Sequence, residues 1–253
     1  MLATSLALAI AGSGLATAAR ADEAQARELV KAMSDYLAAQ QTISFNFDSS
    51  LEIVTTDDQK LTIASSGSLA MERPDKLRVT RRGGFASVEA VFDGTTLSLA
   101  NTDAKAYVQA ELPGTVEQLI DRLRDEFKRP LPAADLLLPD VKGSLLPLFH
   151  EVKDLGSGVI HGVECDHVAF RADEVDWQLW IAQGETPYPC RFTITSKKMT
   201  GWPQYTLDVT DWGAGSAPAD FAFVAPEGAK KVEVADLPDF DEVAGIYSIE
   251  GGQ

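Results

Sequence analysis

The feature that most narrows the folds open to this chain is a long period-two alternation of apolar and polar residues near its beginning. Ile43, Phe45, Phe47, Leu51 and Ile53 alternate with Thr42, Ser44, Asn46, Asp48, Ser50 and Glu52. A period of two places one set on each face of an extended strand. The alternation returns after Asp57-Asp58 with Leu61, Ile63, Leu69 and Met71, and Pro74-Asp75 closes it as a turn. Shorter runs follow at 77–81, 85–92, 96–101 and 106–112, separated by Gly83-Gly84, Asp93-Gly94 and Asn101-Thr102-Asp103. Asp-Gly between two apolar runs is a strong hairpin signal. Turns this short permit antiparallel pairing and exclude the long crossover that parallel pairing needs. These six runs therefore form an antiparallel meander.

Two stretches break the pattern. Over 23–40, Ala26, Leu29, Val30, Met33 and Leu37 form one stripe of an amphipathic helix, with Glu23, Arg27, Glu28, Lys31 and Asp35 away from it. Thr115-Val116-Glu117-Gln118 matches a capping box, and Leu119, Ile120, Leu123 and Phe127 continue it as a helical stripe until Pro130. Leu131, Leu136, Leu137, Leu138, Leu145, Leu146, Leu148 and Phe149 then crowd a segment cut by Pro132, Pro139, Gly143 and Pro147. Short helical turns of this kind cannot bury their own apolar surface. The insertion, at about 114–150, is therefore expected to pack on the concave side of the sheet. From Val152 strands resume at 159–171, 175–182, 190–197 and 204–211, with a short pair near 221–223 and 231–234. The sum is one mainly β (α+β) domain over 22–253, about a dozen strands in antiparallel hairpins interrupted by helix. Residues 236–253 are expected to form a loosely held tail.

Residues 3–19 form an apolar, small-residue run that ends at Ala19-Arg20-Ala21, an A-x-A cleavage pattern. The run is too short, and too broken by Gly12, Ser13 and Gly14, for a membrane anchor. It predicts a signal peptide over 1–21 and an exported, soluble chain. No cysteine lies near the cleavage site to accept a lipid, and no later segment is apolar enough to span a bilayer. With 22 basic and 38 acidic residues the net charge is -16. That charge repels phosphate backbones and anionic lipid surfaces at long range, so nucleic acid is excluded as a partner.

Export makes Cys165 and Cys190 a possible disulfide. If 163–171, 175–182 and 189–197 are consecutive antiparallel strands, the two cysteines sit on either side of the middle one. Second neighbours lie about twice ~4.8 Å apart, too far for a bridge unless the sheet edge twists them together. Two buried free thiols are the alternative. His161, Glu164, Cys165, Asp166 and His167 make the richest polar cluster, but their spacing matches no standard zinc motif. There is no nucleophile elbow, phosphate loop or dinucleotide fingerprint, so no cofactor and no enzymatic activity are expected. Trp177, Trp180, Tyr188, Trp202, Tyr205 and Trp212 crowd the second half, where they serve as core or line a ligand cavity. Arg78, Arg81 and Arg82 form a basic knot suited to a solvated strand edge.

The strings Cys165-Asp166-His167-Val168-Ala169-Phe170-Arg171 and Asp176-Trp177-Gln178-Leu179-Trp180-Ile181 resemble an uncharacterised group of predicted periplasmic proteins. So do Arg191-Phe192-Thr193-Ile194-Thr195, Gly201-Trp202-Pro203-Gln204-Tyr205 and Asp211-Trp212. That group is placed with the LolA, LolB and RseB lipoprotein-localisation superfamily. The resemblance implies an unclosed antiparallel β-barrel of about eleven strands, with an N-terminal helix and a central helical lid over an apolar cavity. It implies a periplasmic protein of a Gram-negative bacterium that binds a lipid or acylated, lipoprotein-like ligand without catalysis, as a carrier or chaperone. The alternative is an RseB-like sensor that binds the periplasmic segment of a membrane-anchored protein. The expected cavity residues are Phe45, Phe47, Leu51, Ile53 and Leu69 from the sheet and Leu119, Leu123, Phe127, Leu137 and Leu138 from the lid.

Overall fold

The computed structural model describes residues 14–127, 134–214 and 220–233. Helix α1 (Gly14–Ala38) leads into β1 (Thr42–Val54), the axis of the sheet. Strands β2 (Lys60–Glu72), β3 (Lys76–Gly83), β4 (Ser87–Phe92), β5 (Thr96–Asn101) and β6 (Ala106–Glu111) wind away from β1 on one side. Helix α2 (Val116–Asp125), a single turn at Ala134–Leu137, helix α3 (Val141–Leu145) and a turn at Leu146–Leu148 follow. The chain then enters at the far edge with β7 (Glu151–Ile160). Through β8 (Val163–Arg171), β9 (Val175–Ala182), β10 (Pro189–Ser196) and β11 (Gln204–Ala214) it winds back until β11 pairs with β1. A two-residue strand, β12 (Lys230–Lys231), lies parallel to β6. The strand order is β12-β6-β5-β4-β3-β2-β1-β11-β10-β9-β8-β7, so the barrel is unclosed, as expected, with twelve strands.

Register explains why β1 can serve two meanders. It pairs with β2 without interruption from Thr42 opposite Glu72 to Val54 opposite Lys60. On its other side it pairs with β11 through one irregularity between Ser44 and Asn46. A one-residue slip on either side would exchange the two faces and expose Ile43 and Phe47. In the observed register Ile43, Met71, Leu77, Phe92 and Leu97 follow one another across five strands of one face. Leu207, Phe192, Leu179 and Val168 continue the same face across four more. Helix α1 lies against β7, β9 and α3. Its stripe of Ala26, Val30, Met33 and Leu37 is buried in a single core with these sheet residues and with Val116, Leu119, Val141 and Leu145.

Several expectations change. Helix α1 begins at Gly14 and runs through Ala19-Arg20-Ala21 without a break; residues 1–13 of the expected leader lie outside the described residues, as does the tail at 236–253. The run 159–171, expected as one strand, holds a hairpin turn. Strand β7 ends at Ile160 and β8 begins at Val163, with His161 at φ 48° and Gly162 at φ 83° between them. Two consecutive positive φ values make a tight turn whose twist suits a hairpin, and His161 tolerates that conformation better than a branched residue would. Residues 221–223 are not a strand. They lie on the outer face, where Arg78 Nη1 donates to the Asp220 carbonyl at 2.7 Å and the rings of Tyr107 and Phe223 stand 5.5 Å apart.

One glycine is fixed by close approach. A Cβ on Gly67 would lie 2.0 Å from the Thr80 carbonyl oxygen and 2.4 Å from Phe47 Cζ, whereas one on Gly84 meets nothing within 4 Å. Gly67→Ala is expected to cost about 1–3 kcal/mol by overpacking and to lower the thermal midpoint by roughly 3–10 °C. Gly84→Ala serves as the unaffected control, and both midpoints are read by circular dichroism.

Candidate functional site

The concave face and its helical cover gather most of the residues singled out from the sequence. Phe45 faces Leu69 across β1 and β2, and Phe47 lies one step along the same face. Phe47, Leu69 and Leu119 are buried members of the central core, and Phe45, Leu123, Leu137 and Leu138 are half-buried against it. Ile53 is buried and Leu51 half-buried towards the β1–β2 hairpin, outside that core. Phe127, at the end of α2, is 42% exposed and does not join the group.

Much of the concave side that was expected to be hollow is occupied by the chain itself. The reason is α1, whose apolar stripe needs a partner and finds it there. What stays accessible is a half-buried apolar band: Phe45, Val79 and Leu99 on one flank, Tyr205, Ile194 and Leu51 on the other. Trp212 closes the band near α1, stacked between Phe45 at 5.7 Å and Tyr188 at 4.9 Å, and its Nε1 donates to Tyr36 Oη at 3.1 Å. A shallow groove of about 600 Å³ also opens on the cover, between Arg27 of α1 and Lys142, Leu146 and Phe149. None of its lining residues belongs to the sheet.

Polar contacts to the cover gather at the β2–β3 turn, where the Val116 N–H donates to the Pro74 carbonyl at 2.8 Å. Arg73, in the β2–β3 turn, donates from Nε to the Gln40 carbonyl at 3.2 Å, from Nη1 to Glu117 Oε1 at 3.0 Å and from Nη2 to the Leu137 carbonyl at 2.9 Å. One guanidinium thus joins the end of α1, the first turn of α2 and the turn at Ala134–Leu137. Burial pushes Arg73 below the usual arginine range, and Glu117 opposes that shift. The expected capping box is present, with the Gln118 amide N–H donating to Thr115 Oγ1 at 3.3 Å and the Thr115 N–H donating to Gln118 Oε1 at 3.0 Å. Ser34 Oγ of α1 accepts from the Lys142 N–H at 3.1 Å, tying α3 down. Arg73 escaped sequence reasoning because an arginine before proline in a turn looks like a solvated loop residue. Arg73→Ala would leave Glu117 and two carbonyls without their donor, at about 2–4 kcal/mol. Amide exchange across 134–149 is expected to quicken while exchange in β1 and β2 holds.

A second cluster lies on the outer face, where two of the three histidines and both cysteines fall. The β7–β8 hairpin tip folds over it, so that His161 reaches Asp208 of β11, Nε2 to Oδ2 at 3.1 Å. Arg191 Nη2 donates to the same oxygen at 2.6 Å and Arg191 Nε to Asp208 Oδ1. The Arg191 guanidinium stands 5.8 Å over the Trp180 ring, and His167 stacks on Trp180 at 4.0 Å. His167 Nε2 pairs with Gln178 Oε1 at 3.1 Å, and burial pushes the imidazole below its usual range, so it is neutral at pH 7. Cys165 and Cys190 are free thiols, buried with Ile160 and Ala182, and burial pushes both above the usual thiol range. A histidine paired with an amide beside two protonated thiols is not a nucleophile with its base. Among the described residues no three of His, Cys, Asp and Glu are grouped to hold a metal ion. Sequence reasoning missed Asp208 and Arg191, which read only as polar positions in alternating strands.

Burial raises the Asp208 pKa, but Arg191 and His161 together outweigh it and hold the carboxyl below its ordinary 3.8. A depressed folded pKa gives stability that is present above the ordinary value and lost as pH falls through the folded one. Asp208→Asn should therefore lower the urea midpoint at pH 7 and weaken its dependence on pH below about 4. Equal slopes for variant and wild type in that range would count against the pairing.

The described residues thus form an unclosed antiparallel barrel with an apolar concave face and a helical cover. A family model described as Predicted periplasmic protein (DUF2092) matches residues 26–235, and the chain belongs to that family. That description places the protein in the periplasm, and among the described residues no helix is long and apolar enough to cross a membrane. Three solved structures are similar in fold. MucB of Pseudomonas aeruginosa, solved with MucA, is 14% identical over 79% of this chain and 62% of that one, with a TM-score of 0.45. LprF of Mycobacterium bovis is 12% identical over 80% of this chain and 99% of that one, at 0.46. A LolA superfamily protein of Nitrosomonas europaea is 12% identical over 76% and 94%, at 0.33. The chain spans 62% of the length of the MucB chain. At these identities the likeness is one of fold alone. No curated protein matches the chain in sequence.

Proposed function

We propose that this protein binds a lipid or acylated, lipoprotein-like ligand reversibly against its concave face, without catalysis, as a carrier or chaperone. The half-buried band of Phe45, Val79, Leu99, Tyr205 and Ile194 carries this reading. These side chains are incompletely covered, and the helices above them are fastened through a few side chains, chiefly Arg73. An acyl chain slipping under the cover would replace partial solvent contact with full burial. Each methylene contributes about 0.8 kcal/mol, so ten supply enough for micromolar binding after the cost of ordering and of shifting the cover. Removal of residues 1–21 as a signal peptide belongs to the same proposal. It leaves the whole buried stripe of α1 in place, together with Asp22, whose Oδ1 accepts from the Asp154 N–H at 2.8 Å.

A second reading, docking of a membrane-anchored protein's periplasmic segment, is favoured by β7. That edge strand exposes Leu155 at 50% and Val159 at 65% beside a backbone edge that no other described strand pairs with, the arrangement that strand addition uses. Native mass spectrometry with lipid extraction of protein purified from its own periplasm, and titration with a fluorescent fatty-acid probe, test the first reading. Low-micromolar uptake is expected, at least tenfold weaker in Val79→Gln/Leu99→Gln. An empty protein that takes up no probe, yet captures one defined membrane protein, would replace the first reading with the second.

A further inference from the structure

The two buried cysteines are not used by the reading above, and their placement is specific. Cys165 stands opposite Ala182 on β9, and the Ala182 N–H donates to the Tyr188 carbonyl at 2.9 Å. Strand β10 is irregular between Pro189, opposite Ile181, and Arg191, opposite Trp180, which makes Cys190 the extra residue of a bulge. In a regular sheet, cysteines two strands apart are too distant to bridge. A bulge lifts its residue out of the ladder and sharpens the local twist. Here it turns Cys190 towards Cys165 across the smallest chiral side chain; Cys165 Sγ donates to the Val163 carbonyl at 3.4 Å and Cys190 Sγ to the Tyr188 carbonyl at 4.0 Å. Ile160, Cys165, Ala182 and Cys190 form an apolar cluster separate from the main core, with Val163, Trp180 and Tyr188 around it.

We propose that Cys165 and Cys190 are a disulfide pair, closed across β9 by exchange with a small-molecule or protein disulfide. In the reaction with oxidised glutathione, the Cys165 thiolate attacks one sulfur, the glutathione S–S bond breaks, and one glutathione leaves and takes up a proton. The Cys190 thiolate then attacks the mixed disulfide at Cys165 and expels the second glutathione. Two protein thiols lose two electrons and two protons, and one glutathione disulfide becomes two thiols. The exchange balances equally with the roles of the two cysteines reversed. The bond would tie β8 to β10 beneath the hairpin tip that His161 and Asp208 clasp, in a compartment where disulfides form and persist.

The test uses the full chain, unfolded in reductant and refolded in a glutathione redox buffer, so that access through the hairpin tip does not limit the outcome. A monomer lighter by two hydrogens is expected, with a peptide map joining residues 165 and 190. Its thermal midpoint should lie roughly 5–10 °C above the reduced form, the scale for closing a loop of this length. Cys165→Ala and Cys190→Ala, refolded in the same way, should show no such rise. Two free thiols, glutathione adducts without an internal bond, or an oxidised monomer less stable than the reduced one would overturn the pairing.

Discussion

The structure depends on one act of burial: a single strand, β1, must hide one face while pairing along both edges. Each edge recruits a meander, and the continuous apolar surface they create is too wide for any one helix to hide. Helix α1 covers the half towards β7, and the connection between the meanders supplies the rest. That connection cannot be a tight turn, because β6 and β7 lie at opposite ends of the sheet. Length forced by topology and coverage demanded by the sheet are met by the same connection, through its described residues 112–127 and 134–150. The helical insertion is therefore the piece without which neither meander has a dry side.

The two faces of the sheet divide the chemistry. Inward positions are apolar with few exceptions, such as Ser49 and Ser65, whose hydroxyls satisfy each other at 2.7 Å in a buried pair. Outward positions carry charge-assisted and hydroxyl ladders: Arg78 with Glu89, Ser68 with Thr80 and Arg191 with Asp208. His161, His167 and both cysteines collect on the outer side under the β7–β8 hairpin, remote from the apolar band.

Legibility followed the range of the interaction. Strand alternation, the Asp93-Gly94 turn and the Thr115 capping box are local, and each appears in the structure where its residues predicted it. The β7–β8 turn was hidden because His161-Gly162 is an uncommon two-residue turn inside a run that otherwise reads as one strand. Of the candidate site, the inward phase of Phe45, Phe47 and Leu69 was readable from periodicity alone. That α1 would occupy the concave side was not, since nothing in a helix's own stripe says which surface it will meet. Arg73 and Asp208 join groups 44 and 47 residues away along the chain, and no spacing rule announces such partners.

The two rims of the sheet are not alike. At one, Lys230 and Lys231 lie along β6 and place two ammonium groups where another chain would have to approach. At the other, Asp22 engages the Asp154 amide of β7, and the Asp154 carboxylate in turn accepts from the Gly156 N–H. A stack of sheets growing end to end requires two receptive rims on every member. Among the described residues, the lysines at one rim and the engaged amides at the other both work against such propagation.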